Sequence, residues 1–132
     1  MGVSVVYESL AETLVNDPQQ LAPLVTEFIQ RYHPGVIIID SFKAISDLMT
    51  PSIWRRSVFD LAGLLAAYDT TSLWVGEYGP RALGEGFVEF AVADGIIEMN
   101  REQTGSRDDR FLRVAKLRGS GFRDGSHAFT ID

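Results

Sequence analysis

Two acids stand at addresses where open α/β sheets keep their working groups. Val36-Ile37-Ile38-Ile39 runs into Asp40 and then Ser41, and Ser72-Leu73-Trp74-Val75-Gly76 runs into Glu77. Four branched apolar residues with no polar alternation predict a strand that is apolar on both faces, the central strand of a helix-covered parallel sheet. The functional groups of such sheets lie just beyond the carboxyl ends of the strands. Adjacent strands ending in Asp40 and Glu77 would set two carboxylates on one rim. Taken alone, the Asp40 run reads equally as the end of a strand and the start of a turn.

Other chemistries are excluded by composition. The chain has no cysteine, which removes disulfides, thiolate metal sites and a cysteine nucleophile together. His33 and His127 are isolated, and nothing near either has metal-ligand spacing. Eighteen acidic against twelve basic residues give a net charge of -6, which argues against a general nucleic-acid-binding surface. No apolar run reaches membrane-spanning length, and no basic start precedes a long apolar core, so a soluble cytoplasmic protein is the expectation. A length of 132 residues suits one domain with a real core and is too short for two ordinary ones.

The elements that must position the two acids follow in order. Gly2 to Tyr7 is a short β-branched run and predicts an early strand; Glu8 to Asn16 reads as irregular. Asn16 or Asp17 can cap a helix with Pro18 in its first turn. Leu21, Leu24, Val25, Phe28, Ile29 and Tyr32 then form one apolar stripe, and His33-Pro34-Gly35 ends that helix. Strand, helix and strand predict a right-handed parallel crossover. After Asp40 a loop leads to Thr50-Pro51, which opens a helix with the stripe Trp54, Val58, Leu61, Ala62, Leu65 and Tyr68. Tyr78 to Gly86 reads as a mobile surface loop, and Phe87 to Ala93 is ambiguous between helix and extended chain. Gly95 to Met99 and Phe111 to Lys116 flank the polar insert Asn100 to Arg110 and predict a long-looped hairpin. His127 to Ile131 predicts a last edge strand. Without further context Lys116 and Arg118 are ordinary charges on a solvated strand.

Several of these segments resemble one family in its order. Val36 to Ser41 resembles a Walker B strand, and Leu73 to Glu77 resembles the next strand, which ends on a glutamate. Ala93-Asp94-Gly95-Ile96-Ile97, the strand Arg110 to Leu117 leading into Arg118-Gly119, and His127-Ala128-Phe129-Thr130-Ile131 complete the likeness. Tyr7 to Leu10 resembles the element that precedes Walker B. Together they are similar to the C-terminal half of the core of KaiC-like, RecA-type ATPases. The fold class implied is α/β: a partial RecA-like core of parallel strands with crossover helices, followed by a C-terminal antiparallel hairpin, with residues 1–132 as a single domain.

The resemblance implies chemistry on ATP. Asp40 would hold Mg²⁺, usually through water. Ser41 and Glu77 would report on the γ-phosphate or the attacking water. Lys116 and Arg118 match a Lys-x-Arg pair that reaches across a subunit boundary to a neighbour's nucleotide. Strand alternation sends residues two apart to the same face, so both cations could address one phosphate group. A hexameric ring is implied for the complete family. An exposed edge at Val3 to Tyr7 predicts self-association, as a dimer or by strand exchange.

Departures from the family pattern are equally informative. The phosphate-cradling loop Gly-x-x-x-x-Gly-Lys-Ser/Thr is missing, since no Gly-Lys pair occurs in these residues. Glu12 lies too close to Asp40 to be the family's catalytic glutamate. Phe122 stands where many relatives carry histidine. Phe90 and Ala91 replace the hydroxyl residues that clock members phosphorylate, so no autophosphorylation is expected there. The expected protein is therefore a nucleotide-binding half-domain that is inactive by itself, or else a P-loop-less, non-catalytic module for signalling or assembly.

Overall fold

The computed structural model describes residues 4–131. The chain divides into two compact units, Met1–Val88 and Glu89–Asp132.

The first unit is built on the pair of strands that carries the two acids. Strand β1, Val36–Asp40, lies parallel to β2, Thr71–Val75, in register from Val36 opposite Thr71 to Asp40 opposite Val75. Helix α1 covers Ala11–Asn16, α2 Leu21–Tyr32, α3 Phe42–Ser46 and α4 Pro51–Ala67. The predicted stripe of α2 buries Leu21, Val25 and Ile29, while Leu24, Phe28 and Tyr32 flank it. Asp17 caps the single 3₁₀ turn Pro18–Gln20 that leads into α2, its carboxylate accepting from the Gln19 N–H. The helix stops at His33, which adopts the left-handed conformation with φ 46°. Pro51 opens α4, whose Trp54, Val58, Leu61 and Leu65 are buried. A proline at that position loses nothing, because its missing N–H would have had no intrahelical partner.

Several expectations need correction in this unit. Residues 4–7 of the predicted Gly2–Tyr7 strand form no strand, and Val5, Val6 and Tyr7 are exposed; positions 2 and 3 lie outside the described residues. Without that strand the first predicted crossover is not formed among the described residues. Glu8–Asn16 is not wholly irregular, because α1 forms there around the buried Leu14; one buried side chain is too little to print a period on the sequence. The segment after Asp40 is the short helix α3 rather than loop alone. The loop Tyr78–Gly86 contains the 3₁₀ turn Ala82–Gly84, pinned by the buried Ala82.

β1 also departs from two-sided burial. Ile39 is buried on the helix side, but Val36 and Ile38 are 55% and 61% exposed, and Leu73 and Val75 of β2 are 49% and 45% exposed. The apolar run therefore has one covered face and one open face. On the covered side Phe42 stacks on Trp74 with centroids 4.3 Å apart and tilts against Trp54 at 4.8 Å. Such pairs add about 0.5–1.5 kcal/mol beyond burial. The buried Trp74 Nε1 has no acceptor among the described residues.

The second unit is a small antiparallel sheet with a short helix before it. Helix α5, Val88–Val92, settles the ambiguous segment, and strands β3, Gly95–Thr104, β4, Arg107–Leu117, and β5, His127–Phe129, pair in that order. The predicted insert Asn100–Arg110 is mostly strand, because the hairpin closes at Gly105-Ser106 with Thr104 opposite Arg107. Gly105 has φ +65° whereas Ser106 does not enter the left-handed region, the pattern of a tight II′ turn. Polar side chains hide this extension in the sequence: Arg101 pairs with Asp108, and Arg107 Nε donates to Asp109 Oδ1 at 2.8 Å.

Candidate functional site

The carboxyl rim of β1 and β2 is set from beneath by packing. Phe42, next to Ser41, is buried against Trp54 and Trp74, so the chain that leaves Asp40 is tied to the core two residues later. Alternation along β1 puts Asp40 on the open face with Val36 and Ile38. The Asp40–Ser41 peptide is cis. Ser41 caps α3, its Oγ accepting from the Ala44 N–H at 3.4 Å. Glu77 lies two residues beyond the end of β2, on the same rim, and is exposed. Among the described residues neither the Asp40 nor the Glu77 carboxylate has a hydrogen-bond or ion-pair partner.

Two neighbours of this rim were not singled out from the sequence. Gly76 has no room for a side chain: a Cβ would sit 2.7 Å from Tyr78 Cε2, 3.1 Å from Lys43 Cβ and 3.3 Å from the Lys43 backbone nitrogen. Lys43 in α3 is held by Asp47 and donates to Ser46 Oγ at 3.3 Å. A glycine directly before a strand-end acid was the available signal for such a close approach. A cavity of about 190 Å³ lies at the opposite, amino-terminal end of the strands, lined by Ile29, His33, Pro34, Tyr68, Asp69 and Thr70. It does not involve the acids.

Among the described residues no group of three or more histidine, cysteine, aspartate or glutamate side chains could hold a metal ion. A single free carboxylate does suit Mg²⁺, which keeps several waters and is held by one or two carboxylates together with substrate phosphates. Asp40 fits that partial role and no all-protein cage.

In the second unit Lys116 and Arg118 converge. Lys116 Nζ donates to the carbonyls of Phe90 at 2.9 Å and Ala91 at 3.1 Å. Arg118 Nη2 donates to the same Ala91 carbonyl at 2.8 Å, and Nη1 reaches Asp94 Oδ1 at 3.4 Å. The acceptors are carbonyls at the end of α5, which has no further turn to use them. Both cations meet at one point, the Ala91 carbonyl, which is a backbone oxygen and not a phosphate. Asp94 as the neighbour of Arg118 was missed, although the hairpin register carries it. Gly95 pairs with Leu117, and the Arg118 N–H donates to the Asp94 carbonyl at 2.8 Å. A bulge between Ile96 and Ile97 shifts that register.

Three other hairpin cations, Arg101, Arg107 and Arg113, contrast with Lys116. Arg107 Nε donates to Asp109 Oδ1 at 2.8 Å, and Arg113 and Arg101 hold Glu98 and Asp108. The bond to Asp108 raises the Arg101 pKa above an already high ordinary value. A cation so raised stays charged until strongly alkaline pH. Lys116 makes no ion pair among the described residues.

Comparison with known proteins agrees with this architecture. The family model described as "ATPase: KaiC" matches residues 3–132. The chain is 31% identical over 108 residues to the circadian clock oscillator protein KaiC 1 of Synechocystis sp., covering 78% of this chain and 20% of that protein. It is 30% identical over 127 residues to the UPF0273 protein MK0039 of Methanopyrus kandleri, covering 95% of this chain and 50% of that one. The chain thus spans between a fifth and a half of the length of these relatives. The crystal structure of the KaiC-like protein PH0186 from Pyrococcus horikoshii OT3 superposes with a TM-score of 0.75 at 16% identity, over 88% of this chain and 54% of that one, which establishes the fold. The α/β arrangement of a parallel pair followed by an antiparallel sheet is that of a partial RecA-like core, and the chain belongs to the KaiC ATPase family.

Proposed function

We propose that residues 1–132 are the C-terminal part of a KaiC/RecA-like ATP-binding domain that, without a P-loop segment, turns over no appreciable ATP. The observation that carries this reading is Asp40 itself, an unpartnered carboxylate at the carboxyl end of β1 in a chain of this family. In the complete domain Asp40 holds Mg²⁺ and Ser41 lies beside it. Glu77 orients water or senses the γ-phosphate, and Lys116 and Arg118 reach a neighbouring subunit's nucleotide. The metal, when bound, supplies charge neutralisation on the phosphates. The phosphate cradle is what these residues lack, because they contain no Gly-Lys pair. Assembly into a ring would supply the neighbour. No helix among the described residues is long and apolar enough to cross a membrane.

The test is calorimetry with Mg·ATP on the chain and on Asp40→Ala, alongside a phosphate-release assay. Mg²⁺-dependent heat lost in Asp40→Ala, without turnover, is the expected result. Equal heat in both proteins removes Asp40 from the site, and sustained phosphate release overturns the inactivity.

A second reading is a non-catalytic assembly module. The open face of Val36, Ile38, Leu73 and Val75 favours it, because a contiguous apolar patch on a sheet is usually covered by a partner. Self-association that Ile38→Lys disrupts in sedimentation runs, with no Mg·ATP heat in calorimetry, would select this reading.

A further inference from the structure

The hydrogen bonds of Lys116 and Arg118 carry information beyond their resemblance to a trans cation pair. A lysine bonded to carboxylates is neutralised, whereas one bonded to carbonyls is fixed in place with its charge intact. Lys116 spends two of its three donors on Phe90 O and Ala91 O and keeps one free. The carbonyl end of a helix carries partial negative charge, which favours a cation there without cancelling it. Arg118 shares the Ala91 carbonyl through Nη2, so one backbone oxygen sets the spacing of the two cationic heads. The remaining contact is of a different kind. Asp94 Oδ1 lies 3.4 Å from Arg118 Nη1, and its side chain is 89% exposed. A contact so long and so exposed is weak and easily exchanged.

We propose that the end of α5 positions Lys116 and Arg118 as a charged pair, and that Asp94 is the resident anion an incoming phosphate group displaces from Arg118. This rests on the reading of Lys116 and Arg118 as phosphate-facing residues and adds Phe90, Ala91 and Asp94 to it. The carbonyls are positioning groups that never touch the ligand, and Asp94 tunes affinity by competition. The ligand class is a polyphosphate chain, and any source of one should register.

The probe is inorganic tripolyphosphate, followed by ¹⁵N-detected NMR of the Lys116 ammonium and the Arg118 guanidinium in the intact chain. In the free protein the Lys116 Nζ signal should be visible and slow to exchange, as only a held ammonium is. Asp94→Asn should leave that signal in place and tighten tripolyphosphate binding by about two- to fivefold, the range an exposed ion pair allows. Asp124→Asn, which removes one exposed loop charge, should do clearly less. Arg118→Gln should erase the gain. Equal effects of Asp94→Asn and Asp124→Asn, or no tripolyphosphate response at Lys116 and Arg118 in any variant, overturn the proposal. If tripolyphosphate responds as described but Mg·ATP heat is indifferent to Asp40→Ala, the nucleotide reading fails and the role of Asp94 stands. The opposite pattern removes the role of Asp94 alone.

Discussion

The strand-end acids and the hairpin cations are held by opposite means. Asp40 and Glu77 sit on a rim whose backbone is fixed by an aromatic core, and their carboxylates are left free. Lys116 and Arg118 sit on a half-buried hairpin, and their charged ends are tied directly to backbone oxygens. Packing therefore fixes where a group starts, and hydrogen bonding fixes where it ends. Ligands that bring their own geometry, such as hydrated Mg²⁺ on phosphates, tolerate the first arrangement. A pair that must meet one anion gains from the second, because less side-chain freedom remains to be lost on binding.

Substitutions can break this contrast, and their effects should fall in order. Phe42→Ala removes the ring between Trp54 and Trp74 and should cost about 3–5 kcal/mol in chemical denaturation. A loss below about 1 kcal/mol would show that the rim is not built on that stack. Gly76→Ala forces a methyl against Tyr78 and the Lys43 backbone and should cost about 1–3 kcal/mol in the same assay. Lys116→Met leaves the Phe90 and Ala91 carbonyls without their ammonium and should cost about 1–2 kcal/mol, mostly as lost amide protection in α5. Unchanged protection there would mean that the hairpin does not hold its cations as described. Arg56→Ala, at an exposed pair with Asp60 3.9 Å apart, should change melting by less than about 0.5 kcal/mol.

Much of the first unit was legible because burial repeats along it. The stripes of α2 and α4 and the apolar run of β1 each report a covered face many residues long. The open side of β1 was not legible, since an apolar run looks the same whether one face is covered or two. Short elements also escaped: α1 rests on Leu14 and α3 on Phe42 and Ile45, too few positions to show a period. The outer hairpin was hidden for another reason. Its strands are held by paired charges such as Arg101 with Asp108, and alternating charge reads as solvated loop. The two-residue turn Gly105-Ser106 was the signal that would have extended the strands. At the candidate site, strand ends located Asp40 and Glu77, whereas Lys116 and Arg118 stood out only through their resemblance to the family's Lys-x-Arg pair. Their backbone partners carry no side-chain signature and needed coordinates.

The two sheets also differ in how much chain each must gather before its first bond, and this sets a clock for folding. Thr104 and Arg107 meet across two residues, whereas Val36 reaches Thr71 only after α3 and α4 have been bridged. Hairpins close in about 1–10 μs, and pairings distant along the chain wait for a larger loss of chain entropy. Pulse-labelled amides of β3 and β4 should therefore become protected before those of β1 and β2. Until the parallel pair closes, Ile37, Ile38 and Ile39 travel in an unpaired strand, and that interval is when the chain is most open to a wrong partner.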